Sequence, residues 1–476
     1  MSLIDNLTSV VGTANILTSA TSGNDMDKFK SDWTGIYTSE PLAVVKPGST
    51  QEVSDCIKAC AATKTPVVPV SGNTGLCGGT QNADGAVMIS VERLNKIRDL
   101  RPDARIAIVD AGVILDQLRG AADEHDLVFP LSFGARGSAM IGGVLSTNAG
   151  GSNVVKYGST RALCLGLEVV LADGQIMDLM SELHKDNSGY DLKDLMIGAE
   201  GTLGLITGAV MKLSPKPKAY ATAMVAVPKL DQALDLLNSL QGATGGMVEA
   251  FEYMPRAYVA RHVQLNMGRE PFDELYDTNI LVEIGSTSPR DAKVQDDGSV
   301  PLVDYLQSVL GDMLEAGDVL DAVVAQNEAQ RTEMWKRRED AAEVVLTLRP
   351  LQNNDVCLPV DKVADFLDRM TGRLADIDPD CIEMVVSHLG DGNVHYTLHP
   401  TSDDAQHMSD LMEAVEDEAL ALGGSFSAEH GIGLSKKPSM ARRKDRVAMG
   451  VMKAIKQALD PDGIMNPGKV LPDTSN

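Results

Sequence analysis

The strongest constraint on this chain is the run Gly134 to Gly151, GARGSAMIGGVLSTNAGG, which carries six glycines and one charged side chain. Gly142, Gly143, Gly150 and Gly151 have no Cβ, so the backbone there can lie close against a ligand and successive N–H groups can converge on an anion. Taken alone, the run is equally a tightly packed turn. Two further runs, PVVPVSGNTGLCGGT from Pro66 to Thr80 and GAEGTLGLITG from Gly198 to Gly208, favour one large phosphate-bearing cofactor over three unrelated turns. None of the three is a GxGxxG fingerprint or a P-loop, so neither of those nucleotide sites is supported.

A chain of 476 residues, 43% of them hydrophobic, can bury two or three domain cores. No apolar run approaches the roughly 20 residues of a membrane helix. The opening MSLIDNLTSVVGTANILTS reads as an amphipathic first helix rather than a signal peptide, and a cytoplasmic protein is expected. A net charge of −25 argues against nucleic acid or an anionic membrane as partner, and an anionic substrate would need a locally positive site. The six cysteines are scattered, with no CxxC pair, and are expected to be buried thiols. No CxxCxxC run for an iron–sulfur cluster is present, so any electrons must leave by another route.

Along the chain, AVVKP, a helix from about Thr50 to Ala62, PVVPV and AVMIS make a small α+β unit with the first Gly loop at a strand end. RIAIVDAG, a helix from Ile114 to His125, and two strands within LCLGLEVVLADGQIMDL make a second, closed by GTLGLITGAVMKLSP. SPKPK marks a boundary near Ser214 to Lys218. Beyond it, ATAMVAVP, a helix from Leu230, NILVEIGST, helices near Val303–Glu315 and Glu328–Thr347, NDVCLPV and a helix from Asp361 predict a mixed, largely antiparallel sheet covered by helices. The expected fold class is α+β. Its expected parts are an N-terminal helical segment over 1–36, a two-subdomain cofactor domain over 37–217, and a sheet-and-helix cap with a C-terminal helical segment over 218–472. Residues 288–299 read as an exposed loop.

Five of the eight histidines lie between His388 and His430. In SHLGDGNVHYTLHP a strand ends at His388, Asp-Gly supplies the turn, and His395 lies on the return strand, so both imidazoles reach one end of a hairpin. In SAEHGIG, Glu429 adjoins His430. Two histidines and a carboxylate could hold zinc or manganese with open positions, at which an α-hydroxy acid could chelate. The residues alone are also those of a hydrogen-bonded hairpin pair. His399 and His407 read as surface or turn residues.

Together VPVSGNTGLCGGT, IGGVLSTNAGG and GAEGTLGLIT resemble the FAD-binding (PCMH-type) domain of the vanillyl-alcohol oxidase superfamily, in the branch that oxidises D-2-hydroxy acids. The resemblance spans roughly Asp32 to Pro472. It implies noncovalent FAD held between two subdomains. The residues it implicates are Pro69, Val70, Ser71, Gly72, Asn73, Thr74 and Gly75 in the first run, Ser138, Ile141, Gly142, Gly143, Thr147, Asn148, Gly150 and Gly151 in the second, and Glu200, Gly201, Gly204 and Ile206 in the third. Ser71–Gly75 and Ser138–Gly143 would face the pyrophosphate, and Cys77 is the one candidate for a covalent flavin link. DPDGIMNPGK matches a further signature in which Asn466 and Lys469 return the chain's end to the flavin.

HLGDGNVH and EHGIG look like the family's metal and active-site signatures. They imply His388, His395 and Glu429 as ligands of a divalent metal and His430 as general base, with hydride leaving to the flavin. Arg338 aligns with an arginine that clamps the substrate carboxylate in relatives, although MWKRRED is also what a solvated basic helix face looks like. Relatives acting on 2-hydroxyglutarate carry lysine where this chain has Asn353, and asparagine where it has Thr397. NNDVCLPV is similar instead to the corresponding run of D-lactate dehydrogenases. The expectation is thus a D-lactate-like monocarboxylate oxidised to its 2-oxo acid, unless Arg337 or Lys336 supplies the missing charge. The alternatives are D-2-hydroxyglutarate oxidation, a noncatalytic flavin-binding subunit, and a zinc hydrolase, which would leave the Gly-rich runs unexplained. The electron acceptor, whether electron-transfer flavoprotein, quinone or cytochrome, is not specified by the sequence, and a homodimer fits the resemblance.

Overall fold

A computed structural model describes residues 1–20 and 23–473. The strands in chain order are β1 (Ile16–Leu17), β2 (Ala43–Val45), β3 (Val67–Val70), β4 (Val87–Ser90), β5 (Ile97–Arg101), β6 (Ile106–Asp110), β7 (Leu127–Val128), β8 (Cys164–Val170) and β9 (Ile176–Leu179). They continue with β10 (Leu205–Lys212), β11 (Ser214–Pro215), β12 (Ala219–Ala226), β13 (Val248–Pro255), β14 (Thr278–Ser286), β15 (Asp321–Val324), β16 (Gln352–Cys357), β17 (Ile382–His388) and β18 (Asn393–His399). They fall into two compact units that do not follow a single cut in the chain. One unit comprises Met1–Gly150, Ser159–Pro215 and Glu429–Asn476, and the other Gly151–Gly158 and Lys216–Ala428. One crossing falls beside the boundary expected near Ser214–Lys218. The expected 218–472 stretch, by contrast, is shared, because its last part returns to the first unit.

The first unit has a four-stranded sheet in the order β1-β2-β4-β3, with β2 and β3 parallel to β4, and a five-stranded antiparallel sheet, β5-β6-β10-β8-β9. The helix Thr50–Ala62, capped by Ser49, lies where the sequence places it. The returning segment joins the edge of the first sheet. The Val67 N–H donates to the Ile464 carbonyl at 2.7 Å, and the Asn466 N–H to the Val67 carbonyl at 2.8 Å. The N-terminal stretch is not separate from this unit, since β1 pairs with β2.

The second unit is a seven-stranded sheet, β15-β12-β14-β13-β17-β18-β16, in which every pairing is antiparallel. Its central strands are buried on both faces and largely apolar, as expected for strands covered on both sides. One face packs Ala223, Phe251, Val282, Val385 and Tyr396 against helices Ala233–Thr244, Pro301–Ala316, Val363–Ile377 and Ala405–Ala421. The other packs Met224, Met254, Leu281 and Val386 against Arg256–Gln264, Glu328–Glu339 and Ala341–Val345. The helix expected over Glu328–Thr347 breaks at Asp340, and a short helix, Pro289–Ala292, interrupts the expected 288–299 loop. Gly151–Gly158 belongs here because Lys156 Nζ and the Tyr157 hydroxyl both donate to Glu249 Oε1 at 2.8 Å.

On the helix-rich face, Glu383 of β17 accepts from the Tyr396 hydroxyl, and burial pushes its carboxyl from 4.5 up to about 7. The folded state therefore holds this proton more tightly than the unfolded chain. Its stabilising effect is complete below about pH 4.5 and is lost as pH rises through 7. Glu383→Gln is expected to remove this slope, leaving the variant more heat-stable than wild type by a few degrees at pH 8 but not at pH 5. Equal melting-temperature differences at both pH values in a thermal scan would refute it.

Candidate active site

In the first unit the two loops expected to face a pyrophosphate pack on each other. Ser71 Oγ accepts the Gly143 N–H at 3.1 Å, and a Cβ on Gly72 would stand 2.3 Å from the Ser138 carbonyl oxygen. A Cβ on Gly142 would meet Ala111 Cβ at 2.8 Å, and one on Gly204 would meet Val169 Cγ1 at 2.7 Å. These glycines are therefore required by contacts within the protein. The start of helix Ile141–Thr147 is satisfied too, with Ile141 N–H on Val113 O, Gly142 N–H on Ala111 O and Gly143 N–H on Ser71. By contrast, the N–H groups from Asn73 to Leu76 meet no acceptor among the described residues, and Gly75 faces open space. Asn73 adopts a positive φ of 52°, its side chain held by Thr80 and by the Lys28 and Ser31 carbonyls.

Helix Ile141–Thr147 ends on Asn148 in the left-handed region, with Asn148 Oδ1 accepting the Arg161 N–H. Thr147 donates back to the Gly143 carbonyl, and Ile206 is buried in β10. Pro69 and Val70 close β3, and Pro69 lies where a Cβ on Gly201 would be, at 2.9 Å.

Glu200, expected among the flavin contacts, turns its carboxylate to the backbone. Its two oxygens accept the N–H groups of Ile432 and Gly433 at 2.7 and 2.8 Å. Burial raises its carboxyl despite these bonds. The Cys77 carbonyl takes the Leu434 N–H, and Asn466 Nδ2 links the carbonyls of Gly79 and Glu200. The residues that follow His430 are thus anchored on the first and third Gly-rich runs. Within the pair preceding them, His430 Nε2 lies 3.9 Å from Glu429 Oε1. Lys469 is buried, donates to the Pro467 carbonyl, and is held down to about 8 by burial, with Lys437 adding to the shift.

In the second unit the β17–β18 hairpin forms as the sequence predicts. Gly392 takes a φ of 83° against the Leu358 carbonyl, where a Cβ would clash at 2.0 Å. His388 pairs with Asn393 and His395 with Val386, so both histidines project on one face, the register alternating by two. Their rings meet edge to face with centroids 5.3 Å apart, and a nitrogen of each lies within 4.8 Å of the other. Asp355, opposite His395 in β16, brings an oxygen within 4.8 Å of a His395 nitrogen. It also accepts from Asn393 Nδ2 and from the Ala428 N–H.

Beside His388 in β13 stands Glu252, fully buried, a residue the sequence reading passed over. His388 Nδ1 is 2.9 and 2.8 Å from its two oxygens, and Arg338 Nε donates to one at 2.7 Å. Burial works to raise this carboxyl, but His388 and Arg338, both hydrogen-bonded to it, more than offset the burial and hold the group below the usual carboxylate range. As an ionised acceptor it requires His388 Nδ1 to be the donor. The signal in the sequence was an acidic residue inside the apolar run FEYM.

Arg338 is therefore not on a solvated basic face; it is buried, and its Nη2 lies 3.4 Å from both His388 nitrogens. Arg337 is buried too and donates to the Arg269 carbonyl, while Lys336 pairs with Asp340. Neither is a spare cation for a second carboxylate. Asn353 and Thr397 face one another across β16 and β18, the Thr397 hydroxyl donating to Asn353 Oδ1 at 3.1 Å. His399, expected at the surface, is buried at the end of β18 with Nδ1 on the Pro350 carbonyl, and His407 pairs with Asp378. All six cysteines are free, and Cys77 is buried with its thiol on the Gly431 carbonyl. No helix among the described residues is long and apolar enough to cross a membrane.

The FAD binding domain family matches residues 41–180, and the family of FAD linked oxidases, C-terminal domain, matches residues 216–470. A D-2-hydroxyglutarate dehydrogenase of Xanthomonas citri pv. viticola is 34% identical over 94% of this chain and 92% of its own length. One of Stutzerimonas stutzeri is 32% identical over 98% of both, and the mitochondrial one of Rattus norvegicus 34% identical over 93% of this chain and 80% of its own. Among solved structures, p-cresol methylhydroxylase with substrate bound superposes with a TM-score of 0.73 at 15% identity, covering 100% of this chain and 97% of that one. That likeness shows the same fold. Alkyldihydroxyacetonephosphate synthase gives 0.71 at 17% identity, covering 98% and 86%. With one family matched across more than half its length and relatives above 30% identity over nearly all of it, the chain belongs to the FAD-linked oxidases, the FAD-binding oxidoreductases of the vanillyl-alcohol oxidase (PCMH) type.

Proposed function

We propose that this protein is an FAD-dependent D-2-hydroxyacid dehydrogenase whose substrate is a dicarboxylate of the 2-hydroxyglutarate class. The observation that carries this reading is that relatives matching almost end to end at 32–34% identity are D-2-hydroxyglutarate dehydrogenases. It displaces the D-lactate expectation drawn from Asn353 and Thr397. With the Thr397 hydroxyl engaged on Asn353 Oδ1, the Asn353 amide N–H groups are left as donors, which suit a distal carboxylate as well as a neutral group. A noncatalytic subunit or a zinc hydrolase is disfavoured by the same relatives.

The unsatisfied N–H groups of Asn73–Leu76 suit the pyrophosphate of FAD, which supplies the hydride acceptor when bound. Cys77, with its thiol on a carbonyl, fits a noncovalent cofactor. His388 and His395 suit a divalent ion such as zinc or manganese, which would polarise the hydroxyl and carboxylate of the substrate. Glu429 is assigned as the third ligand by the resemblance and by chain continuity, being one residue past Ala428, which Asp355 fixes. His430 takes the hydroxyl proton on an imidazole nitrogen, and Arg338 presents the part of its guanidinium not held by Glu252 to the C1 carboxylate. Electrons pass on to an acceptor outside the chain.

Under anaerobic mixing, D-2-hydroxyglutarate is expected to bleach the flavin at least tenfold faster than D-lactate, and L-lactate not at all. Faster bleaching by D-lactate would restore the monocarboxylate reading. His430→Ala should retain FAD yet lose at least about a hundredfold in the rate of flavin reduction, the usual scale of a general base. Unchanged reduction would remove it from that role. Gly72→Ala forces apart two backbone segments and is expected to cost about 1–3 kcal/mol of stability and several-fold in FAD retained per chain. Full flavin occupancy with an unaltered melting temperature would contradict the loop packing as the basis of the cofactor site.

A further inference from the structure

We infer that Glu252 is a positioning residue for the divalent ion, acting through His388; this rests on the reading of His388 and His395 as metal ligands. Glu252 and Arg338 do not form an ordinary structural pair. Elsewhere in the same sheet Glu283 meets Arg331 fork to fork, Nε on Oε2 at 2.7 Å and Nη2 on Oε1 at 2.8 Å. Glu252 instead turns both oxygens to one imidazole nitrogen, and Arg338 reaches it through Nε alone.

The consequence for His388 is a fixed tautomer. With the proton on Nδ1 and committed to the carboxylate, Nε2 carries the lone pair, and the ring cannot turn without breaking two contacts to a fully buried group. A carboxylate behind a ligating imidazole orients the ring and raises its basicity, and its loss weakens metal binding by about 10- to 100-fold. Arg338 offsets the buried carboxylate's charge, so that the carboxylate remains an acceptor. His388, the metal-facing nitrogen and the arginine expected at the substrate are thereby set by one side chain on a neighbouring strand.

The test uses chelator-treated flavoprotein as wild type, Glu252→Gln, and the double variant Glu252→Gln/Arg338→Met, which removes both buried charges and guards against misfolding of the single variant. Zinc affinity is measured by competition with a chromogenic chelator, and the His388 tautomer by 15N NMR of histidine-labelled protein, assigned with His388→Asn. The expected result is an Nδ1–H tautomer in wild type that is lost in the variants. Zinc binding should weaken 10- to 100-fold while FAD content stays at the wild-type level. Zinc affinity within twofold of wild type in either folded variant, or an Nε2–H tautomer in wild type, would overturn the inference. If wild type takes up no zinc, the ligand reading of His388 and His395 falls, and the tautomer in the variants decides the role of Glu252 separately.

Discussion

A carboxylate with no solvent exposure, in the middle of a seven-stranded sheet, is the constraint on which the second unit turns. Burying one ion unpaired is expensive, so Glu252 can exist there only with a cation and a hydrogen-bond donor held against it. The helix Glu328–Glu339, capped by Asn327, supplies the cation, and the end of β17 supplies the donor. Removing either partner would leave a buried charge uncompensated. The sheet, one helix and the hairpin are therefore locked into a single arrangement by the group that also orients His388.

The first unit solves a related problem with a different device. A loop proposed to offer N–H groups to an anion needs its neighbours to be rigid, and here rigidity comes from backbone packed on backbone. Gly72 on Ser138, Gly142 on Ala111 and Gly143 on Ser71 leave no room for side chains, and the helix start behind them is fully hydrogen-bonded. Among the described residues, the N–H groups of Asn73–Leu76 meet no acceptor. Glu200 extends the scheme by clamping Ile432 and Gly433, so the chain just beyond His430 is carried by the same small-residue loops.

Much of this was legible in the sequence because it is local. The helix Thr50–Ala62, the strand runs and the Asp-Gly hairpin each have their cause within a dozen residues, and the Asp-Gly turn brought His388 and His395 to one end of a hairpin. The discontinuous units were not legible from spacing, because the reasons are long-range: Glu249 captures Lys156 and Tyr157, and β3 captures Met465. Glu252 was missed for the same reason. In sequence it is one more charge in a strand, and only the register Glu252↔His388 gives it a partner. The resemblance placed Glu200 and Gly142 among the flavin contacts, but the sequence did not show the contacts each also makes within the protein, with Ile432 and Gly433 and with Ala111.

The stretch Ser427–Leu434 shows why such long-range ties matter for chemistry. Its first end is held in the second unit, where Asp355 accepts the Ala428 N–H and stands opposite His395. Its last end is held in the first unit by Glu200 and the Cys77 carbonyl. Glu429 and His430 lie between these anchors, with two glycines following that take positive φ values of 79° and 50°. Each anchor restricts the backbone beside it, so part of the cost of ordering the proposed ligand and base is met in folding rather than at binding. EHGIG thus reads as the proposed ligand and the proposed base followed by glycines that let the backbone turn at once onto Glu200.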